Sequence, residues 1–193
     1  MDASSGWRHA HASVRAGIDF EEPKGKLMAG AAKPIPEGFH TLTPYLVVRD
    51  ALKAIEFYKQ AFGAIVRGVH YTPDGKVMNA DLKIGGSVFM LNEEFPGIGH
   101  CVSPQTLGGT TSTVHICVDD VDSPFSQAVA AGAAVTMPLM DQFWGDRYGQ
   151  LRDPFGHSWS IGTHKEDLTP QEIEERAKAA FAKQAQKQAG KQG

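Results

Sequence analysis

The chain has 193 residues, of which 41% are hydrophobic, 21% charged and 9% aromatic, a composition typical of one ordinary globular domain or two small ones. Nineteen Lys and Arg residues against twenty-two Asp and Glu residues give a net charge of −3, so no extended basic surface for nucleic acid is expected. No apolar run approaches the ~18 residues of a membrane-spanning helix, and residues 1–27 hold no apolar secretory core. We therefore expect a cytoplasmic protein without nucleic-acid or membrane partners.

Residues 41–92 carry the signals of a strand, a helix and three further strands. Residues 43–48 are rich in β-formers, and Asp50 is a good N-cap for a run of apolar residues at helical spacing that ends at Gly63. Three β-rich runs follow, separated by tight-turn signals. The predicted unit is a βαβββ module.

The second half of the chain repeats this order of elements about seventy positions later. Five residues recur at that offset: Thr43, Val48, Asp50, Ala61 and Gly86 return as Thr113, Val118, Asp120, Ala131 and Gly156. Asp120 or Asp122 is expected to cap the second helix, within a module over residues 111–163. Residues 93–110 have no pattern of their own and are predicted to be a loop. Each module is marginal alone, and together they are large enough to share a core.

The two ends of the chain are expected to lie outside this domain, which we place at residues 39–165. Residues 1–38 show no sustained periodicity and are predicted to form a flexible arm. In residues 166–193, the sequence Thr169-Pro170-Gln171-Glu172 is a capping box that opens a C-terminal helix. Its acidic residues come first and its lysines later, in the order that the helix dipole favours.

Alternation along the predicted strands separates an apolar face from a mixed face. The apolar face is expected to carry the helices. The mixed face is expected to line a ligand site, because its polar groups would orient a small molecule. Across both modules, the candidate ligand-binding residues in and near the strands are Thr43, Tyr45, Met90, Asn92, Thr113, His115 and Ser160.

A segment between the sixth and seventh predicted strands adds three further candidates. Trp144, Arg147 and Tyr148 would form a lip that closes over an anionic or planar ligand. The same sequence allows a simpler interpretation, in which Asp146 and Arg147 pair with each other and hold the loop.

Three motifs resemble one protein family. They are Val48-x-Asp50, Val118-x-Asp120-Val121, and the closing run Trp144-Gly145-Asp146-Arg147-Tyr148-Gly149 with Asp153-Pro154-Phe155-Gly156-His157-x-Trp159. Together they resemble the vicinal oxygen chelate superfamily of glyoxalase, bleomycin-resistance and extradiol-dioxygenase proteins, and the closing run is most similar to its PhnB-like branch. The resemblance covers about residues 40–182. It implies an α+β fold in which two βαβββ modules form an open mixed-sheet barrel around one pocket, usually in a dimer.

The resemblance also implies where a divalent metal ion would be held. Metal-dependent members use His or Glu side chains from the first, fourth, fifth and eighth strands. The corresponding residues here are Thr43, Met90, Thr113 and Ser160. None is a convincing ligand for Zn, Fe, Ni or Mn. We therefore expect no cofactor, and a displaced divalent metal site with His115 as one ligand stays open as the alternative.

Three functions are compatible with these features. The leading hypothesis is a glyoxalase-like homodimer that binds a small organic molecule in a pocket without the usual metal ligands. The alternative is a glyoxalase- or dioxygenase-type lyase or isomerase that acts on a small oxygenated metabolite, through a displaced metal ion or with His115 as general base. His115 could equally be a pocket-lining or a structural histidine. In the third hypothesis, the C-terminal helix docks on a protein partner.

Overall fold

Two βαβββ modules follow each other in the order that the sequence predicts. The first comprises β1 (Tyr45–Val48), α1 (Ala51–Phe62), β2 (Ile65–Tyr71), β3 (Val77–Ile84) and β4 (Ser87–Glu93). The second comprises β5 (Thr113–Cys117), α3 (Asp122–Ala130), β6 (Ala134–Asp141), β7 (Asp146–Arg152) and β8 (Ser158–His164). A short helix, α2 (Pro104–Leu107), lies between them, and α4 (Pro170–Ala189) comes last. The computed structural model describes residues 33–98 and 101–189.

Each module forms its own open, four-stranded mixed sheet. The strand orders are β1-β4-β3-β2 and β5-β8-β7-β6. In each sheet the first strand pairs in parallel with the last, because a helix and two strands carry the chain back, while the other neighbours are antiparallel. The chain divides into two compact units, Met1–Leu107 and Gly108–Gly193, which contain one sheet each. The predicted α+β fold with a C-terminal helix is confirmed.

Carboxylates fix the start of α1. Asp50 is its N-cap, and its side chain accepts a hydrogen bond from the Lys53 amide at 3.2 Å, as predicted. Glu93, at the end of β4, accepts hydrogen bonds from the amides of Asp50 and Ala51 at 2.9 and 2.7 Å. Because two carboxylates meet the positive end of the helix dipole, the start of α1 is firmly attached to the end of β4.

The connector between the modules is not a patternless loop, and this prediction was wrong. It contains the single turn α2, whose Ser103-Pro104 start is the usual N-cap and first-turn proline pair. Glu94 accepts hydrogen bonds from the Ser103 amide (2.6 Å) and the Thr106 hydroxyl (2.8 Å). These bonds lower the pKa of the Glu94 carboxyl to about 2, so its charge holds the connector throughout the neutral range.

Two helix starts in the second unit test the predicted caps. The prediction that Asp120 or Asp122 caps α3 was wrong, because its N-cap residue is Val121, which makes no side-chain cap bond. Asp120 accepts from the Asp122 amide at 3.2 Å. The capping box of α4 is confirmed, because the Thr169 amide donates to the Glu172 carboxylate at 2.8 Å.

Part of the predicted domain organisation lies outside the described residues. The arm predicted over residues 1–38 is described only from residue 33. Among the described helices, none combines the length and the apolar character that crossing a bilayer requires.

The turn between β7 and β8 is built on a buried carboxylate. Asp153 is 4% exposed and accepts hydrogen bonds from the amides of Phe155 and His157, both at 2.9 Å. Its second oxygen accepts from the Trp159 indole at 2.8 Å. One side chain thus joins the turn to the core of the sheet, since Trp159 is 1% exposed.

Replacing this carboxylate is expected to be costly. Asp153→Ala leaves three N–H donors without their acceptor and should lower the free energy of unfolding by about 2–4 kcal/mol, measured by urea denaturation. Asp119→Ala is the matched control, because Asp119 is exposed and the described residues offer it no hydrogen bond or ion pair. Equal losses in the two variants would contradict the role of Asp153.

Candidate functional site

Several of the predicted site residues lie together on one side of β5, β8 and β7, the open side that faces away from α3. β8 lies between the other two strands, with His115 opposite Ser160 and Tyr148 opposite Gly162. Trp159 and Ile161, which alternate with these residues in β8, are buried on the other side. The predicted separation into an apolar and a mixed face therefore holds in this sheet.

His115 is held between a hydroxyl and an aromatic ring. Its Nδ1 atom is 2.8 Å from the Ser160 Oγ atom, and its ring stacks on that of Tyr148 at 5.7 Å between centroids. Gln150 donates a hydrogen bond to the Tyr148 hydroxyl at 2.8 Å. Within the described residues, His115 makes no hydrogen bond through Nε2, so this nitrogen is available to a ligand.

Gly162 provides the space in which these two rings meet. A Cβ atom added there would lie 3.3 Å from His115 Cε1 and 3.4 Å from Tyr148 Cδ2. A side chain at this position would touch both rings and would require that of His115 to shift by a few tenths of an ångström. The missing side chain is thus a condition of the observed geometry.

A second histidine lies further along the same face. His164, opposite Asp146 in the sheet, contacts the Asp146 carboxylate through Nδ1 at 2.8 Å and the Asp167 carboxylate through Nε2 at 3.0 Å. Both hydrogen bonds raise the pKa of His164 above its ordinary value, and the one with Asp146 has the larger effect. The other oxygen of Asp146 accepts from the Trp144 indole at 2.9 Å, which orients that ring towards Tyr148.

An open cleft of about 530 Å³ lies over these groups. Its polar lining consists of His115, Cys117, Asp119, Asp146, Thr163 and His164. Val118 and Gly162 complete the wall. A cleft of this volume is in the range of small-molecule sites, and its lining supplies both donors and acceptors.

Arg147 does not face this cleft. It donates to the carboxylates of Asp122 (2.7 Å) and Asp141 (3.2 Å), and both pairs raise its pKa further. Because Asp122 belongs to α3, the guanidinium lies on the helix-bearing side of the sheet, whereas Trp144 is directed to the open side through Asp146. Arg147 therefore joins α3 to its sheet. The pairing of Arg147 with Asp146, which the sequence also allowed, was wrong, because Asp146 instead contacts Trp144 and His164.

Thr113 and the candidates of the first unit occupy varied environments. Thr113 is exposed at the start of β5, and Tyr45 pairs with Met90 across β1 and β4. Burial, followed by the charges of Cys101 and Asp81, raises the pKa of Tyr45. Thr43 precedes β1 and donates to the His40 carbonyl at 3.1 Å, while Asn92 is 3% exposed and donates to the Glu93 carbonyl at 2.7 Å.

The residues at the positions of the family's metal ligands do not fit a divalent metal ion. Ser160 is already bonded to His115, Thr113 offers only a neutral hydroxyl, and Met90 a thioether. Residues 33–98 and 101–189 also contain no group of three His, Cys, Asp or Glu side chains placed to hold a metal. No chemical step through a metal ion follows from this donor set.

Sequence reasoning missed His164, Asp146 and Asp119 as cleft residues. The signal was present, because the alternation that places Ser160 and Gly162 on the open face continues to His164, and that of β5 continues beyond Cys117 to Asp119. The sequence could not show that His164 meets Asp146, because that contact depends on the register of β7 against β8.

Comparisons with known proteins converge on one superfamily. The sequence model of the Glyoxalase/Bleomycin resistance protein/Dioxygenase superfamily matches residues 38–161. An uncharacterized protein of Mycobacterium tuberculosis H37Rv is 47% identical over 135 residues, which cover 69% of this chain and 79% of that protein. The crystal structure of TioX from Micromonospora sp. ML1 is similar with 32% identity and a TM-score of 0.52, over 64% of this chain and 97% of that one. A PhnB protein from Bacillus cereus, 20% identical with a TM-score of 0.51 over 64% and 99% of the chains, shares the fold.

The geometry around Gly162 leads to a specific prediction. Gly162→Ala should displace the His115 and Tyr148 rings and change the ring-current shifts of His115 by NMR, with a loss of stability of about 1–3 kcal/mol. Gly68→Ala, in β2, is a suitable control, since an added Cβ there meets nothing within 4 Å. Unchanged His115 shifts in Gly162→Ala would show that the rings do not depend on this space.

The contacts of His164 predict its titration. Its midpoint should lie above ~6.5, and Asp146→Asn or Asp167→Asn should each bring it down. Because a raised pKa means that the folded protein binds the proton more tightly, the stabilisation is full below pH ~6.5 and is lost as the pH rises through the raised midpoint. NMR titration of the imidazole signals measures these midpoints. A wild-type midpoint at or below ~6.5 would contradict the two contacts.

Proposed function

Since the chain belongs to the Glyoxalase/Bleomycin resistance protein/Dioxygenase superfamily, we propose that it binds a small organic molecule in the cleft over β8. The cleft carries this proposal, because one face gathers a histidine with a free ring nitrogen, a thiol, a hydroxyl and two carboxylates. Binding needs no metal ion in this proposal, because the residues at the usual ligand positions are Thr43, Met90, Thr113 and Ser160.

His115 is the residue on which binding should depend most. Ser160 and Tyr148 hold its ring from two sides, so little side-chain freedom is left to lose when a ligand forms a hydrogen bond with Nε2. Cys117 and Gly162 lie beside it and leave the approach open.

A metal-free enzyme is the second candidate, and the His115–Ser160 contact favours it. If Ser160 donates to Nδ1, then Nε2 carries the proton and donates to the ligand; if Nδ1 carries the proton, Nε2 is an acceptor and can serve as general base. A lyase or isomerase acting on a small oxygenated metabolite would use the second arrangement. The predicted homodimer and the docking of α4 on a protein partner stay predictions beside these proposals.

The proposed function predicts that fragment ligands will perturb one set of residues. A fragment screen by NMR should shift the resonances of His115, Gly162 and Thr163, and His115→Ala should weaken the binders about tenfold, as expected for the loss of one hydrogen bond. Elemental analysis of protein purified without chelators should find no stoichiometric divalent metal.

His70→Ala is the control in this experiment, because His70 is an exposed histidine in β2 of the other unit. Fragments that shift other surfaces and leave the cleft resonances unchanged would contradict the proposed site. Turnover of a bound oxygenated compound that disappears in His115→Ala would favour the enzyme.

A further inference from the structure

The charges that line the cleft are unequally compensated. Both oxygens of Asp146 have a partner, since one accepts from Trp144 and the other meets His164. Asp119 also lines the cleft, but it forms no hydrogen bond or ion pair with any described residue. The cleft therefore holds one carboxylate whose charge no neighbouring side chain offsets.

In the lining, the hydrogen bonds of His164 to two carboxylates favour its protonated form. His164 lies between Asp146 and Asp167, at 2.8 and 3.0 Å, so its charge is engaged by two carboxylates rather than directed at a ligand. With His164 protonated, Asp119 and Asp146 still leave the lining with a net negative charge, and without that proton the excess grows.

We propose a further step, which rests on the proposed function: the cleft binds an organic cation. Asp119 is the counter-charge of this cation, and protonated His164 weakens its binding. An anionic ligand would meet Asp119 without compensation, and a neutral one could donate a hydrogen bond to it but would lack the attraction between opposite charges. A positively charged group on the ligand is the simplest partner for this carboxylate.

The other titratable groups that face the cleft act in the same direction. His115 and Cys117 come from β5, Asp146 from β7, and Asp167 follows β8. Loss of a proton from either histidine or from the thiol makes the cleft more negative. Affinity for a permanent cation should therefore rise with pH. The part of this pH dependence that His164 contributes should disappear when that residue is replaced.

Three probes of one size and shape test the charge preference. Benzamidinium, benzamide and benzoate are titrated into the full-length protein at pH 7, and binding is followed by NMR at Gly162 and Thr163. Benzamidinium should bind at least three times as tightly as benzamide, and benzoate should bind most weakly. Asp119→Asn should reduce the affinity for benzamidinium three- to tenfold, while Glu175→Gln, which removes an exposed carboxylate on α4, should not.

The pH arm of the experiment isolates His164. Benzamidinium should bind the wild type more tightly at pH 8.5 than at pH 6, and His164→Gln should reduce this difference at least twofold. An undiminished difference in the variant would overturn the role of His164.

The outcomes distinguish a failure of the cation proposal from a failure of the proposed function. Equal binding of the three probes, or stronger binding of benzoate, would overturn the charge preference and leave the proposed function in place. If none of the probes shifts the cleft resonances, the cation proposal is overturned and the fragment screen decides the proposed function. An unchanged affinity in Asp119→Asn overturns the assignment of the counter-charge.

Discussion

The open face of the second unit depends on the three hydrogen bonds that end on Asp153. They fix the turn between β7 and β8 and tie it to the buried Trp159, and so they fix how the two strands pair. Register matters here because a slip by one residue would exchange the two faces of a strand. It would turn Ser160, Gly162 and His164 inward. A carboxylate on the buried side thus determines which groups line the cleft on the other.

The cleft is shaped as much by a missing side chain as by those present. Gly162 allows the rings of His115 and Tyr148 to meet above the central strand. On the opposite side, Gly149 makes similar room, since a Cβ there would lie 2.5 Å from the Phe125 ring of α3. The sheet therefore lacks a side chain at two points: Gly149 makes room for the helix, and Gly162 makes room for the site. Both positions lie inside strands, where glycine is otherwise disfavoured.

The fold was readable from the sequence because its signals are local. Asp50, Gly63 and the capping box at Thr169 act on the next few residues, and alternation assigns each strand its faces. The same reasoning placed Arg147 in a ligand lip, whereas the structure engages it with Asp122, a residue 25 positions away. The link between His164 and Asp146 spans 18 positions and depends on strand register. Side chains with several potential partners are settled by tertiary geometry, which a single sequence does not contain.

The junction between the last strand and the C-terminal helix constrains how this chain can change. The Gly145 carbonyl accepts from the amides of both Lys165 and Glu166, and a Cβ at Gly145 would lie 2.5 Å from the Glu166 carbonyl oxygen. The backbone of this junction is thus packed directly against the turn before β7. An insertion between β8 and α4 would disturb the residues that hold Asp146, and Phe181 of α4 also packs against Phe143 of the same turn, with 5.7 Å between the ring centroids. For protein engineering, the junction is therefore a poor place for a graft.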